Sequence, residues 1–433
     1  MKRYAMQELI NWKNRPVNMP LIIRGARQVG KTWLMKEFGK NEFQNVAYIN
    51  FDNNERMKTL FNGNYDIGRL ISGLQIETNA TILPKDTLLI FDEIQDVPRA
   101  IASLKYFREN APEYFIVAAG SLLGVAMHEG TSFPVGKVDF MDLYPMSYLE
   151  FLNACGQHNL IDLLSGRDWE LIKAFKSTYI DYLKQYYFIG GMPEAVASFI
   201  GNGDYNEVRR IQNRLLIGYE QDFSKHAPNE SVPRIRMLWD SVSAQLAKEN
   251  KKFIYGLIRQ GARAKEFELA LQWLLDCGLI HKINRITKPG VPLSAYQDNA
   301  FKLYMLDVGL LSAKSNLDVK SLLEGNKIFE EFKGALTEQY VQQQLLSCSN
   351  IRSYYWASSK GTAEVDFVFQ HGMDIVPLEV KAEENLKARS LKSYVEKFSP
   401  KHAVRMSMSD YRQEEWLVNV PLYAIGSIVQ ILE

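Results

Sequence analysis

Short, wholly apolar runs alternate with amphipathic stretches over the first third of the chain. Leu21-Ile22-Ile23, Val46-Ala47-Tyr48-Ile49, Leu88-Leu89-Ile90-Phe91 and Phe115-Ile116-Val117-Ala118 each have the length and continuous hydrophobicity of a strand covered on both faces. Residues 32–38 and 98–110 read as helices, the second opening with Pro98 at a first-turn position, where a missing N–H leaves no bond unmade. Strands alternating with helices predict an α/β architecture, a parallel sheet layered between helices. A turn-rich passage at 128–137 follows, and then a helical middle from 145 to about 249.

From residue 253 the pattern changes. A short helix is expected at 254–258. After Gly261 a longer one carries Phe267, Leu271, Leu274 and Leu275 at helical spacing and ends at Gly278. Leu279-Ile280-His281-Lys282-Ile283 then begins a strand, followed by the loop Lys288-Pro289-Gly290. Helix, turn, helix, strand and loop in this order fit a winged-helix module; a small helical connector is the simpler alternative. The C-terminal part reads helix (329–346), strand (365–369), strand (375–381), helix (390–398), strand. Its two central strands are joined as a hairpin around His371-Gly372-Met373.

Composition narrows the class. With 46% hydrophobic and 23% charged residues, the chain has the usual mix of a globular protein, which argues against disorder, collagen-like repeats and a coiled-coil rod. A length of 433 residues calls for roughly three domains. The longest apolar run, 115–127, is broken by Gly120, Ser121 and Gly124 and falls short of the ~20 residues of a membrane span. Met1 to Glu8 contain no apolar core of a secretory signal. Cys155, Cys277 and Cys348 are odd in number and scattered, against a disulfide framework or zinc cluster. A reducing, cytoplasmic setting is expected, without membrane attachment. Net charge is only +1, yet residues 225–290 hold 12 Lys/Arg against 6 Asp/Glu. That excess fits an acidic partner such as nucleic acid, and equally a solvated face.

One segment carries specific chemistry. Gly25-Ala26-Arg27-Gln28-Val29-Gly30-Lys31-Thr32 fits the phosphate-binding pattern G-x-x-x-x-G-K-[ST], between an expected strand and helix as that pattern requires. Glycines let the backbone curl until its N–H groups and the helix N-terminus meet phosphate oxygens. Lys31 is expected to reach the β- and γ-phosphates, and Thr32 to offer its hydroxyl to Mg²⁺. The run 88–91 ends in Asp92-Glu93, which places two carboxylates at the C-terminal edge of a buried strand, where open α/β sheets bind ligands. Asp92 is expected to hold Mg²⁺ and Glu93 to orient and deprotonate the attacking water. Ser121, after the next strand, is placed to sense the γ-phosphate, and Lys137 is a candidate cation for the same site. ATP and Mg²⁺ are the cofactors expected.

A second constellation lies near the C-terminus. In a strand, residues two apart share a face, so Glu379 and Lys381 point together while Val376, Leu378 and Val380 fill a core. A turn centred near Gly372 puts Asp366 nearly opposite Glu379, about 5 Å away. Glu338 lies on the packed stripe of its helix with Ala335, Val341 and Leu345, where an acid needs a partner. Acid, acid and lysine suit metal-dependent phosphodiester cleavage, with Asp366 and Glu379 on the metal and Lys381 stabilising charge. A salt-bridge cluster is the structural alternative.

With these residues in place, the chain resembles a widespread prokaryotic family of AAA-type ATPases. The resemblance rests on 25–32, Asp92-Glu93-Ile94-Gln95, Ala119-Gly120-Ser121, Gly190-Gly191-Met192-Pro193, 302–310, Glu338, Glu364-Val365-Asp366-Phe367 and Leu378-Glu379-Val380-Lys381. Where the family usually has Gly-Arg, this chain has Gly136-Lys137. The resemblance implies a P-loop AAA-type ATPase domain at 1–145, a helical region at 146–230, a winged helix at 231–300 and an α/β domain of PD-(D/E)xK nuclease-like fold at 301–433. It implies an ATPase that couples nucleotide state to a module acting on nucleic acid, DNA being favoured, with Arg263 and Lys265 offered to phosphates. Glu93 and Lys31 are then catalytic at the first site, and Glu338, Asp366, Glu379 and Lys381 at the second. The alternative keeps the ATPase but makes the C-terminal domain a non-catalytic docking module for nucleic acid or a protein partner. A homo-oligomer fits either version.

Overall fold

The computed structural model describes residues 1–121, 133–248, 252–321, 330–358, 361, 363–384 and 388–433. Residues 128–132 of the turn-rich passage, 122–127 of the long apolar run, and Phe329 at the expected helix start lie outside them. The chain divides into two compact units. One holds residues 2–144 with 276–278, and the other holds Met1, 145–275 and 279–433.

The first unit is a five-stranded sheet made of β1 (Leu21–Arg24), β2 (Asn45–Asn50), β3 (Thr87–Asp92), β4 (Phe115–Ala119) and β5 (Asp139–Asp142), in the order β2-β3-β4-β1-β5. Every pairing is parallel. β3 is buried at every position, as a continuous apolar run demands. One face is filled by aromatic rings meeting at their edges, with Phe51–Phe91 and Phe61–Phe91 centroids 5.3 and 6.1 Å apart. The short edge strand β5, which begins and ends with an aspartate, was not expected, nor were the helices Glu55–Asn62 and Ile67–Thr78.

Strand order determines what meets at the sheet's edge. β4 stands between β1 and β3, and its ladders set Ile23 level with Ala119 and Ala119 level with Asp92. Neighbouring strands are about 4.8 Å apart. The loop after β1, the Asp92-Glu93 pair and Gly120-Ser121 therefore emerge side by side.

The second unit begins with helices between Tyr148 and Leu246. Tyr255–Leu257 form one 3-10 turn, and helix Ala264–Asp276 buries Phe267, Leu271 and Leu274. Gly278 (φ 69°) ends that segment, and β6 (Ile280–Ile286) and β7 (Gln297–Met305) form an antiparallel pair. β7 runs straight through the expected boundary between 300 and 301. β6 also pairs in parallel with β8 (Ser353–Ala357), aligning Arg285 with Tyr355. The strand expected within a winged-helix module is thus part of a larger sheet. That sheet is completed by β9 (Glu364–His371), β10 (Asp374–Val380), β11 (Val404–Ser407), β12 (Arg412–Gln413) and β13 (Val418–Pro421), ordered β12-β13-β11-β10-β9-β8-β6-β7.

Helix Glu330–Ser349 supports this sheet with unusual composition. Besides Ala335, Val341 and Leu345, it buries Glu338, Gln339, Gln342, Gln343 and Gln344. Each glutamine finds a partner: Gln339 bridges both backbone groups of Met305, Gln343 bonds Val308 N and Asp307, Gln344 bonds Tyr148 N, and Gln342 accepts from Ser353. Buried Asp307 in turn accepts from Gly191 N at 2.6 Å. Gly190 (φ 74°) has no room for a side chain, because an added Cβ would lie 2.1 Å from Asp307 Oδ1. The Gly190-Gly191 pair is therefore a structural joint.

Candidate functional site

The phosphate-binding segment takes its shape from glycine. After β1 the chain passes through Gly25 (φ 145°), Gln28 (φ 70°) and Gly30 (φ 96°) and enters helix Lys31–Glu42. A Cβ on Gly25 would fall 2.2 Å from the carbonyl oxygen of Leu143, so no other residue fits. Ala26 and Val29 point into the core while Arg27 and Gln28 are exposed. The buried Arg3 braces the loop, donating to the carbonyls of Val29 at 2.9 Å and Tyr144 at 2.6 Å.

Lys31 Nζ donates to the carbonyls of Gly25 and Ala26, both at 2.8 Å, so the ammonium lies over its own loop. Burial pushes its pKa down to about 8 against the opposing pull of Glu93 and Asp92, and Arg27 adds to the lowering. Thr32 Oγ1 donates to Asp92 Oδ2 at 2.7 Å. Tyr48 on β2 donates to the same oxygen at 3.0 Å, and the Lys36 ammonium lies 3.6 Å from the Tyr48 ring centroid. Burial, with Asp92 beside it, holds the Tyr48 phenol well above its ordinary pKa, so it stays a donor.

Glu93 has a left-handed backbone (φ 52°, ψ 43°) and begins the 3-10 turn Ile94–Asp96. Its Oε2 accepts from Gln95 Nε2 at 2.7 Å, Ser121 Oγ at 3.1 Å and Ser121 N at 3.3 Å. The structure thus brings Lys31, Thr32, Asp92, Glu93 and Ser121 together at one edge. Lys137 is engaged elsewhere in its own unit, 3.0 Å from Glu109.

Residues 17–152 match the model of an AAA domain. The first unit carries an AAA-type P-loop domain. Beyond it, residues 180–321 and 333–425 match two domains of unknown function (DUF8612 and DUF4143). No curated protein matches the chain. Among solved structures, the Walker-type ATPase PABY2304 of Pyrococcus abyssi is 14% identical, with TM-score 0.44, over 72% of this chain and 94% of that one. The Aeropyrum pernix ORC1 protein in complex with DNA is 12% identical, TM-score 0.27, over 73% and 93%. The ORC2 protein of the same organism in its ADP form is 13% identical, TM-score 0.28, over 74% and 91%. Among the described residues no helix is long and apolar enough to cross a membrane.

The C-terminal constellation contains a residue the sequence reading missed. Lys302 on β7 is fully buried. Its Nζ lies 2.6 Å from Glu364 Oε1 and 3.8 Å from Glu338 Oε2, and Tyr304 OH donates to Glu338 Oε2 at 3.1 Å. Burial opposes the Lys302 charge, but Glu338, Glu364 and Asp366 outweigh it and raise its pKa. The β9–β10 ladder runs to Leu378 opposite Phe367, so its next step sets Glu379 against Asp366. Asp366 Oδ2 accepts from Val380 N at 2.8 Å, and Glu379 Oε1 pairs with Lys381 at 2.6 Å. Glu379 is itself buried, not only its apolar neighbours, because both faces of β10 are covered. Its Oε2 has no hydrogen-bond partner among the described residues.

A lysine inside the apolar run Ala300-Phe301-Lys302-Leu303-Tyr304-Met305 was the available signal for a buried counter-charge. Tyr48 and Arg3 left no comparable trace in the sequence. Arg263 and Lys265 are exposed at the head of helix Ala264–Asp276.

Proposed function

We propose that the chain binds and hydrolyses ATP and couples its nucleotide state to modules that engage nucleic acid. The observation that carries the reading is the contact of Thr32 Oγ1 with Asp92 Oδ2, with Glu93 presented by the next residue. Two oxygens so close, one hydroxyl and one carboxylate, suit Mg²⁺, a hard cation that takes oxygen ligands and keeps several waters. When bound, that ion supplies charge neutralisation at the phosphate oxygens. Backbone N–H groups of residues 25–30 and the start of helix Lys31–Glu42 receive the triphosphate. Lys31 exchanges its two carbonyl partners for phosphate oxygens and Ser121 offers its hydroxyl to the γ-phosphate, while Glu93 takes a proton from the attacking water.

ATPase assays on wild type, Lys31→Ala and Glu93→Gln, with and without DNA, test this reading. Lys31→Ala is expected to abolish ATP binding. Glu93→Gln is expected to bind ATP but turn over at least about 100-fold more slowly, as removal of a general base does. Wild-type turnover by Glu93→Gln would remove Glu93 from its role.

For the second unit, the exposed Arg259, Arg263, Lys265, Lys282 and Lys288 support contact with the phosphates of DNA by a winged-helix-like segment. Two readings of the acid cluster remain. Cleavage of a phosphodiester would use Asp366 and Glu379 on a divalent ion, Lys381 for charge and Glu338 beside them. The unpartnered Glu379 Oε2 favours a cation there. Against it, Glu338 is committed to Lys302 and Tyr304, and among the described residues no three His, Cys, Asp or Glu side chains are grouped to hold a metal. The donor set does not fit a metal cage, so we prefer the non-catalytic docking reading. Mn²⁺-dependent cutting of plasmid DNA that is lost in Lys381→Ala would reverse that preference.

A further inference from the structure

We propose that Gln95 is a positioning residue for Glu93, and that its side-chain carbonyl receives the water that attacks the terminal phosphate. This rests on the hydrolysis reading above and adds a second group to the water's environment.

The geometry begins with the backbone. Glu93 turns the chain through the left-handed region, and the 3-10 turn that follows brings residue 95 back toward residue 93. Gln95 Nε2 then lies 2.7 Å from Glu93 Oε2. An ionised carboxylate only accepts, so the amide must present its N–H there, which fixes where the carbonyl end points. That end, Gln95 Oε1, is buried and has no hydrogen-bond partner among the described residues. Buried polar atoms in folded proteins are nearly always paired, with protein or with water. A water is the natural donor, and this acceptor stands beside the carboxylate that needs one.

The division of work follows from the donors already present. Gln95 Nε2, Ser121 Oγ and Ser121 N all lie on Glu93 Oε2, and Gln95 Nε2 and Ser121 N stay there when the Ser121 hydroxyl turns to the γ-phosphate. Glu93 Oε1 is left to take a proton. A water that donates one hydrogen to Glu93 and the other to Gln95 Oε1 directs its lone pair away from both, toward phosphorus. In the reaction the water oxygen bonds to the γ-phosphorus and the bond from that phosphorus to the bridging oxygen breaks. The water proton passes to Glu93, and ADP departs with the bridging oxygen. Gln95 gains and loses nothing; it holds two partners in place.

The test is steady-state ATP hydrolysis by the full chain, with kcat and KM resolved separately, for wild type, Gln95→Ala and the near-isosteric Gln95→Glu. Gln95→Ala is expected to lower kcat by up to about 100-fold, as misplacing a catalytic group by about an ångström does, with KM for ATP unchanged. Gln95→Glu, which removes the donor and sets a like charge beside Glu93, is expected to lower kcat at least as far. Rates matching wild type in both variants would overturn the proposal, as would losses confined to KM or melting temperature. If Glu93→Gln abolishes turnover while both Gln95 variants are unaffected, only this proposal falls. A wild type that binds ATP without hydrolysing it overturns the hydrolysis reading as well.

Discussion

Lys31 illustrates how a single side chain can make nucleotide binding depend on pH. Its ammonium is buried, which pushes the pKa down to about 8, and a bound triphosphate would surround it with negative charge and raise that value again. The nucleotide-bound form therefore holds more proton than the free form above pH 8, and binding there must take up a proton. Affinity for ATP should be flat with respect to this group below pH 8 and should fall above it, approaching about tenfold per pH unit. Calorimetric titration at pH 7, 8, 9 and 10 in buffers of different ionisation heat checks both the affinity and the proton uptake. Lys31 could be read directly from the sequence because its chemistry requires fixed residue types at fixed spacing within one continuous segment. The partners of Asp92 and Glu93 could not be read in the same way. Tyr48 reaches Asp92 only because β2 lies beside β3 in register, with Tyr48 level with Ile90 and Asn50 with Asp92, and nothing local to residue 48 records that pairing.

Strands β1 to β4 of the first unit were legible as elements because each holds a short apolar run bounded by turns, although β2 lies at the sheet's edge and is only partly buried, not covered on both faces as its apolar run predicts. β5 was not, since its Asp-Phe-Met-Asp sequence is an edge strand whose carboxylates pair with Arg15 and Arg24 at 2.7 and 2.9 Å. In the second unit, alternation identified β9 and β10, and the hairpin turn fixed their register. The role of β7 was hidden, because Lys302 looks like a solvated charge until β9 and helix Glu330–Ser349 close over it. These three elements are held together by the contacts of Lys302 with Glu338 and Glu364, and one substitution tests the clasp. Lys302→Met keeps length and apolar bulk but leaves Glu338 buried without its counter-charge. Removing one partner of a buried pair costs about 3–5 kcal/mol. Denaturant unfolding should show that loss, and Lys302→Met with Glu338→Gln should recover part of it. A single variant as stable as wild type would mean that Glu338 is balanced by something other than Lys302.

The described residues are organised around two sheets, and the course of the second determines where the chain can be divided. Family-level resemblance places a boundary between 300 and 301, and sequence composition offers no objection there. The strand order does. β7 crosses that position, its partner β6 lies wholly before it, and β6 is the strand that flanks β8. A fragment comprising 301–433 keeps only the end of β7, lacks β6 and exposes the apolar edge of β8 at Tyr354-Tyr355-Trp356, an open edge of the kind that recruits other chains. A fragment comprising 145–433 keeps every pairing of the sheet, together with the glutamine network that joins helix Glu330–Ser349 to Asp307 and Tyr148. The shorter fragment should therefore be aggregated or unfolded by circular dichroism and sedimentation, and the longer one should melt cooperatively. The longer fragment's melting temperature should not respond to ATP. In the full chain, ATP at 100 times its Kd should stabilise the P-loop unit by about 2.7 kcal/mol. A soluble, cooperatively folded 301–433 fragment would show that the sheet divides where the resemblance places the boundary, and that β6 and β7 are an added hairpin and not part of the core.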